Sequence, residues 1–146
     1  MILREEQRDL FSMPHGYYFA HCISGCFTLG AGIAVQFNEL YNMRKKLKNT
    51  NETDRCDCLT CTKHCAILID NVFNLVTKRK KYEKPTYDSL RETLEDMAGQ
   101  IETLEIEKLA IPQLGCGLDK LSWNIVKEII EEVFEDIDVE IVVCYI

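Results

Sequence analysis

Leu109-Ala110-Ile111-Pro112-Gln113-Leu114-Gly115-Cys116-Gly117-Leu118-Asp119 runs from a short apolar strand, stopped by proline, into a glycine loop. After it, Ser122 is placed to cap a helix whose Val126, Ile129, Ile130, Val133 and Phe134 recur at the spacing of a face packed on a sheet. A strand, a glycine loop and a helix in that order make a phosphate cradle. The glycines let backbone N–H groups approach an anion, and the helix dipole adds to the attraction. Gly30-Ala31-Gly32 repeats the arrangement after another apolar run. Asp119 sets the two loops apart, because an acid beside a diphosphate cradle is a poor structural choice. It is a good catalytic one if it aims at the group the diphosphate carries.

Outward from these loops, strands and helices alternate. Residues 17–23 fit a buried strand, and Ile33, Phe37, Leu40, Met43 and Leu47 recur at helical spacing. Residues 66–69 and 72–77 read as short strands joined around Asp70-Asn71. Thr86 is the expected N-cap of a helix bearing Leu90, Leu94, Met97, Ile101 and Leu104. Residues 139–146 close the chain as a strand apolar on both faces, as a central one would be. The order predicts an α/β fold with a mixed, largely parallel sheet, helices on both faces, and ligand loops at the carboxyl ends of the strands. One domain is expected over residues 1–146, with a cysteine-rich insertion or loop at about residues 49–65.

Composition narrows the partners. Seventeen basic against 24 acidic side chains give a net charge of −7, which disfavours broad binding to nucleic acid while leaving room for a local patch. The cations do cluster. Arg44, Lys45, Lys46 and Lys48 read as a solvated face, and Lys78, Arg79, Lys80, Lys81 and Lys84 form a second run. No leader or membrane span is visible, so a cytoplasmic or nuclear, membrane-free protein is expected, with a monomer as the working assumption. The eight cysteines should then be mostly reduced. Two nucleotide signatures are missing: residues 30–35 lack the third small residue of a dinucleotide fingerprint, and no P-loop terminus occurs.

Five motifs in order resemble the macro domains: Ala20-His21-Cys22-Ile23-Ser24, Gly30-Ala31-Gly32-Ile33-Ala34, Thr77-Lys78, Lys84-Pro85-Thr86-Tyr87, and Pro112-Gln113-Leu114-Gly115-Cys116-Gly117-Leu118-Asp119. More narrowly, they look like the ALC1-like branch that includes terminal ADP-ribose glycohydrolases. The likeness spans nearly the whole chain and weakens only across about residues 49–65. It implies a three-layer α/β/α macro domain with a mixed central sheet, binding ADP-ribose and ADP-ribosylated protein or DNA and needing no cofactor for catalysis.

By that resemblance Asp9 bonds the adenine amino group, Leu10 makes a neighbouring backbone contact, and Ile146 lies near the adenine. His21, Ile23, Ser24, Gly30, Gly32, Ile33 and Ala34 form the first ligand loop. Pro112, Gln113, Leu114, Gly115, Cys116, Gly117, Leu118 and Asp119 wrap the diphosphate and distal ribose, and Thr77, next to Lys78, also binds the ligand. Lys78 attacks the distal ribose anomeric carbon while Asp119 moves protons.

Elementary chemistry is consistent with such a pair. A neutral amine forms a Schiff base with the open-chain aldehyde of a ribose, and Arg79, Lys80 and Lys81 are placed to favour the neutral amine. Asp119 would serve as general base and then acid toward an ester-linked ADP-ribose. Taken alone, Lys78 is one member of a solvated basic run. His21 reads as a packed or ligand-adjacent residue rather than a base, and Cys116 as a small residue chosen for fit.

Cys56, Cys58, Cys61 and Cys65 place four thiols in one short segment, with a zinc-knuckle spacing between Cys58 and Cys61, so a structural zinc is weighed evenly against a reduced loop. Three functions stay open on the sequence. One is an ADP-ribosyl hydrolase acting on modified carboxylates or nucleobases; the others are a non-catalytic ADP-ribose reader and a metal-dependent interaction module.

Overall fold

Residues 72–78 carry apolar side chains on both faces of a strand, and the chain buries them accordingly. In the computed structural model, which describes residues 1–50 and 64–146, β4 (Val72–Lys78) is buried at every position but its last. The other strands are β1 (Ile2–Gln7), β2 (Tyr18–Ser24), β3 (Ala66–Ile69), β5 (Lys108–Ile111) and β6 (Glu140–Tyr145). They form one sheet in the order β1-β6-β5-β2-β4-β3, parallel throughout except for β3 against β4. The mixed, largely parallel sheet is therefore present, and β6 is an internal strand as its two apolar faces require.

Helices α1 (Ile33–Tyr41) and α2 (Met43–Lys48) cover one face, packing Ala34, Phe37, Met43 and Leu47 on Phe19, Val72, Val76 and Val142. Helices α3 (Tyr87–Leu104) and α4 (Trp123–Val133) cover the other, packing Leu90, Leu94, Met97, Val126 and Ile130 on Phe73, Leu75, Leu109 and Ile141. Two helical layers on a sheet give the α/β/α sandwich.

Three local expectations are corrected. The periodicity from Ile33 to Leu47 belongs to two helices, because Asn42 adopts a left-handed conformation (φ 54°, ψ 42°) that ends α1 and turns the chain into α2. Leu40 consequently lies 63% exposed rather than in the core. Ser122 occupies the N-cap position of α4, yet its side chain makes no capping bond. Thr86, by contrast, forms a full capping box with Ser89 at the start of α3.

Strand β1 was not anticipated. It lies at the sheet edge against β6, with Arg4 bonding Glu140 across the pair.

Candidate active site

The parallel strands β2, β4 and β5 end on the same side of the sheet, and the loops after them enclose two adjoining cavities of about 350 and 390 Å³. Cys22, Ala31, Ala34, Leu118 and Asp119 line both, so the two are halves of one cleft. This is the crevice outside the carboxyl ends of the strands where α/β sheets bind ligands.

Its first wall is the loop from β2 into α1. Gly32 takes φ +63° just before α1, a conformation that favours glycine. No side chain caps α1 and no acid sits in its first turn, so the N–H groups that begin the helix face the cleft without an internal anion. The second wall is the loop after β5. Gly115 takes φ +72°, and an added Cβ would lie 2.8 Å from Leu121.

Gly30 and Gly117 differ. A Cβ at either would meet nothing within 4 Å, so the protein's own packing does not require glycine there. Both line the cleft, where a missing side chain leaves room for an incoming group. Leu118, 63% exposed, reaches across toward Gly32 and joins the two walls.

Between the walls, the Lys78 Nζ at the end of β4 donates to Asp119 Oδ1 at 2.9 Å, and each side chain is only 16% exposed. Residues 41 positions apart thus meet at the floor of the cleft. The Lys84-Pro85-Thr86-Tyr87 motif braces this pair from behind. Lys84 Nζ donates to the Leu118 carbonyl at 3.3 Å, and the Tyr87 hydroxyl accepts from the Ser122 N–H at 3.0 Å. Arg79 turns to Glu83 instead of the cleft, whereas Lys81 lines it.

Twelve of the residues expected at the ligand do line the cleft: Ile23, Ser24, Gly30, Gly32, Ile33, Ala34, Pro112, Gln113, Leu114, Gly115, Gly117 and Leu118. Asp9 and Ile146 lie just beyond the paired ends of β1 and β6, on the same rim of the sheet but outside both cavities. The Asp9 carboxylate accepts the Phe11 N–H at 2.9 Å, starting a short turn that buries Leu10, and Ile146 is fully exposed. Thr77 is buried beneath Lys78, and Cys116 bonds back to the Leu114 carbonyl instead of lining the cleft.

Sequence reasoning passed over Thr28 and Leu29, which line it; Cys22 and Ala31 stood within the ligand-loop motifs without a role of their own, and Lys81 only as a charge near Lys78, yet all three line it too. Strand alternation was the available signal for Cys22, since it points opposite to His21. Burial, with Asp119 and Cys116 close by, pushes the Cys22 thiol up to about 12, and burial raises Cys116 to about 11. A thiol raised this far stays protonated near neutral pH and is poorly suited to nucleophilic work.

His21 faces away from the cleft and is fully buried under α1, its ring stacked on Phe37 at 4.2 Å. Asn74 donates its amide to the Ile67 carbonyl, so its Oδ1 accepts from His21 Nε2 at 2.6 Å. That leaves His21 Nδ1 as a bare lone pair with no partner. Burial pushes the imidazole down to about 4.

A depressed histidine favours the neutral native state, so its contribution is complete above the unfolded value near 6.5 and is lost as pH falls toward 4. Native stability should fall by about 2 kcal/mol from this group between pH 7 and pH 5. Urea titrations of the wild type and His21→Gln at both pH values test this. Equal pH slopes in the two proteins would remove the assignment.

Cys56, Cys58 and Cys61 lie outside the described residues. Cys65 precedes β3, and among the described residues no group of three or more histidine, cysteine or carboxylate side chains is placed to hold a metal.

The macro domain family model matches residues 19–130 of this chain. The ADP-ribose glycohydrolase OARD1 of Bos taurus is 37% identical over 138 residues, covering 92% of this chain and 86% of that protein. The DNA ADP-ribosyl glycohydrolase of Thermus aquaticus is 33% identical over 67 residues, 46% of this chain and 19% of that protein. In three dimensions the macrodomain of Thermus aquaticus DarG aligns over 99% of both chains, with a TM-score of 0.81 at 23% identity. With the glycine walls, the sandwich and these matches in agreement, the chain belongs to the macro domain family.

Proposed function

We propose that this protein is an ADP-ribosyl hydrolase that removes terminal ADP-ribose from modified carboxylates or nucleobases. The observation that carries the reading is the Lys78–Asp119 contact at 2.9 Å on the floor of a cleft with two glycine walls. A binder of ADP-ribose needs the walls but has no use for a half-buried amine held against a carboxylate. The names of the relatives, an ADP-ribose glycohydrolase and a DNA ADP-ribosyl glycohydrolase, support the same reaction.

The walls would hold the diphosphate, with the N-terminal end of α1 and the backbone around Gly117 as donors. Asp9 and Ile146, on the adjoining rim, would take the adenine end. The anomeric carbon of the distal ribose then reaches Lys78.

Asp119 Oδ1 accepts a proton from the Lys78 ammonium, and the freed amine attacks that carbon. The Nζ–C bond forms as the bond from carbon to the leaving oxygen or ring nitrogen breaks. The leaving group departs with the electron pair and receives a proton from Asp119. Ring opening of the lysine adduct gives an imine, which water hydrolyses to free ADP-ribose and amine. Every group in the cycle belongs to the chain, the substrate or water.

Reductive trapping tests this chemistry. Cyanoborohydride added during turnover of a glutamate-linked ADP-ribosylated peptide should leave ADP-ribose on the peptide containing Lys78, read by mass spectrometry. Turnover with no adduct at that lysine would overturn its role as nucleophile.

A further inference from the structure

The loop between Lys78 and the start of α3 is folded by its own acid. The Glu83 carboxylate accepts the Lys80 N–H at 2.9 Å and pairs with Arg79 at 3.5 Å, while the Glu83 N–H donates to the Lys80 carbonyl at 3.0 Å. This internal brace uses the one acid of residues 79–84 and turns Lys81 and Tyr82 outward. Tyr82 is 76% exposed, the most exposed of the large hydrophobic side chains in the described residues apart from Ile146.

Lys80, Lys81 and Lys84 flank Tyr82 in the chain, and the Lys84 bond to the Leu118 carbonyl joins this loop to the one that carries the exposed Lys120 directly after Asp119. Among the described residues, no carboxylate lies within ion-pair distance of any of these four ammonium groups. The patch is local in a chain of net charge −7, and it adjoins the reacting end of the cleft, where Lys81 shares a cavity with Lys78 and Asp119.

A cationic rim with one exposed aromatic ring is the pattern that binds single strands: ammonium groups hold phosphates and the ring stacks a base. A duplex offers no base face to Tyr82. An acidic peptide would satisfy the lysines but leave the ring without a partner.

We infer that residues 80–84, with Lys120, dock a single-stranded nucleic acid whose ADP-ribosylated nucleotide enters the cleft, with Tyr82 stacking on a neighbouring base. This rests on the hydrolase reading above and narrows its substrate class. It makes Tyr82 and Lys80 specificity-determining for the polymer, since neither lines the cleft.

Two readouts separate the docking surface from the chemistry. The first is fluorescence anisotropy with an unmodified single-stranded oligonucleotide, as deoxy and ribo strands, against wild type, Tyr82→Ala, Tyr82→Trp and Lys80→Ala. Binding of either strand should weaken about tenfold in Tyr82→Ala and recover in Tyr82→Trp. The logarithmic salt slope should drop by about 0.7 in Lys80→Ala.

The second readout is hydrolysis of an internally ADP-ribosylated oligonucleotide beside the ADP-ribosylated mononucleoside. Tyr82→Ala should raise KM for the oligonucleotide about tenfold, with kcat and mononucleoside cleavage unchanged. Oligonucleotide binding that is equal in all four proteins, or displaced by polyglutamate as readily as by DNA, overturns the inference. Wild-type binding that responds to Tyr82 without any hydrolysis keeps the docking surface and overturns the hydrolase reading instead.

Discussion

Lys78→Ala is expected to abolish release of ADP-ribose while ADP-ribose still binds. In the proposed mechanism the amine forms the bond to the anomeric carbon, and replacing a covalent nucleophile costs roughly 10⁴- to 10⁶-fold in kcat where no other group can substitute. No substitute is at hand in the cleft: Cys22 is held as a neutral thiol, and His21 points to the far side of β2. Asp119→Ala should cost about 10²- to 10⁴-fold, the range for a positioned proton carrier.

The two effects should not add. If Asp119 acts by taking the proton of Lys78, the double variant is no slower than Lys78→Ala alone. Affinity for ADP-ribose, measured by calorimetry, should stay within a few fold of wild type, because the proposed mode of binding places the diphosphate on the walls rather than on the pair. Residual turnover in Lys78→Ala equal to that of Asp119→Ala would overturn the assignment of lysine as nucleophile. It would leave Asp119 as base for a direct attack by water.

That pair marks the limit of reading the chain without a family. Pattern alone located the strand, loop and helix around Gly115 and the acid beside them, because those signals are local. It did not connect Lys78 to Asp119, since a contact between residues 41 apart depends on which strands become neighbours. Only the resemblance to macro domains joined them, and the sheet order explains how: β2 lies between β4, which ends at Lys78, and β5, which leads to Asp119.

Strand β1 was illegible for a different reason. Arg4, Glu5 and Glu6 are poor strand formers, and the segment is held by pairing to β6 and by side chains such as Glu140, Trp123 and Lys127, all distant in sequence. The break at Asn42 left a weak trace, an asparagine tolerant of left-handed backbone within an unbroken apolar rhythm. His21 was assigned to the ligand with its motif, although period-two alternation sets it on the opposite face from Cys22.

The largest expected loss of stability lies on that opposite face. Phe37 is fully buried in α1, stacked on His21 and meeting Phe11 edge-on at 4.9 Å and Phe19 at 6.2 Å. Phe37→Ala should cost about 3–5 kcal/mol, the range for emptying such a site. That is a large share of the roughly 5–15 kcal/mol that stabilises a domain of this kind. Phe37→Leu, which fills part of the space, should cost less than half as much.

The consequence reaches the cleft through α1, because Phe37 anchors the helix whose first turn lines the cavity proposed to hold the diphosphate. Saturating ADP-ribose should therefore raise the Tm of Phe37→Ala less than that of wild type, as a weakened ligand stabilises less at equal concentration. The cavity also opens a path for water to His21 Nδ1, which would return its pKa toward 6.5. Stability of Phe37→Ala should then change less between pH 7 and pH 5 than that of wild type. A cost below 1 kcal/mol with an unchanged pH slope would mean that α1 is held by other contacts and that His21 owes its neutrality to the strands alone.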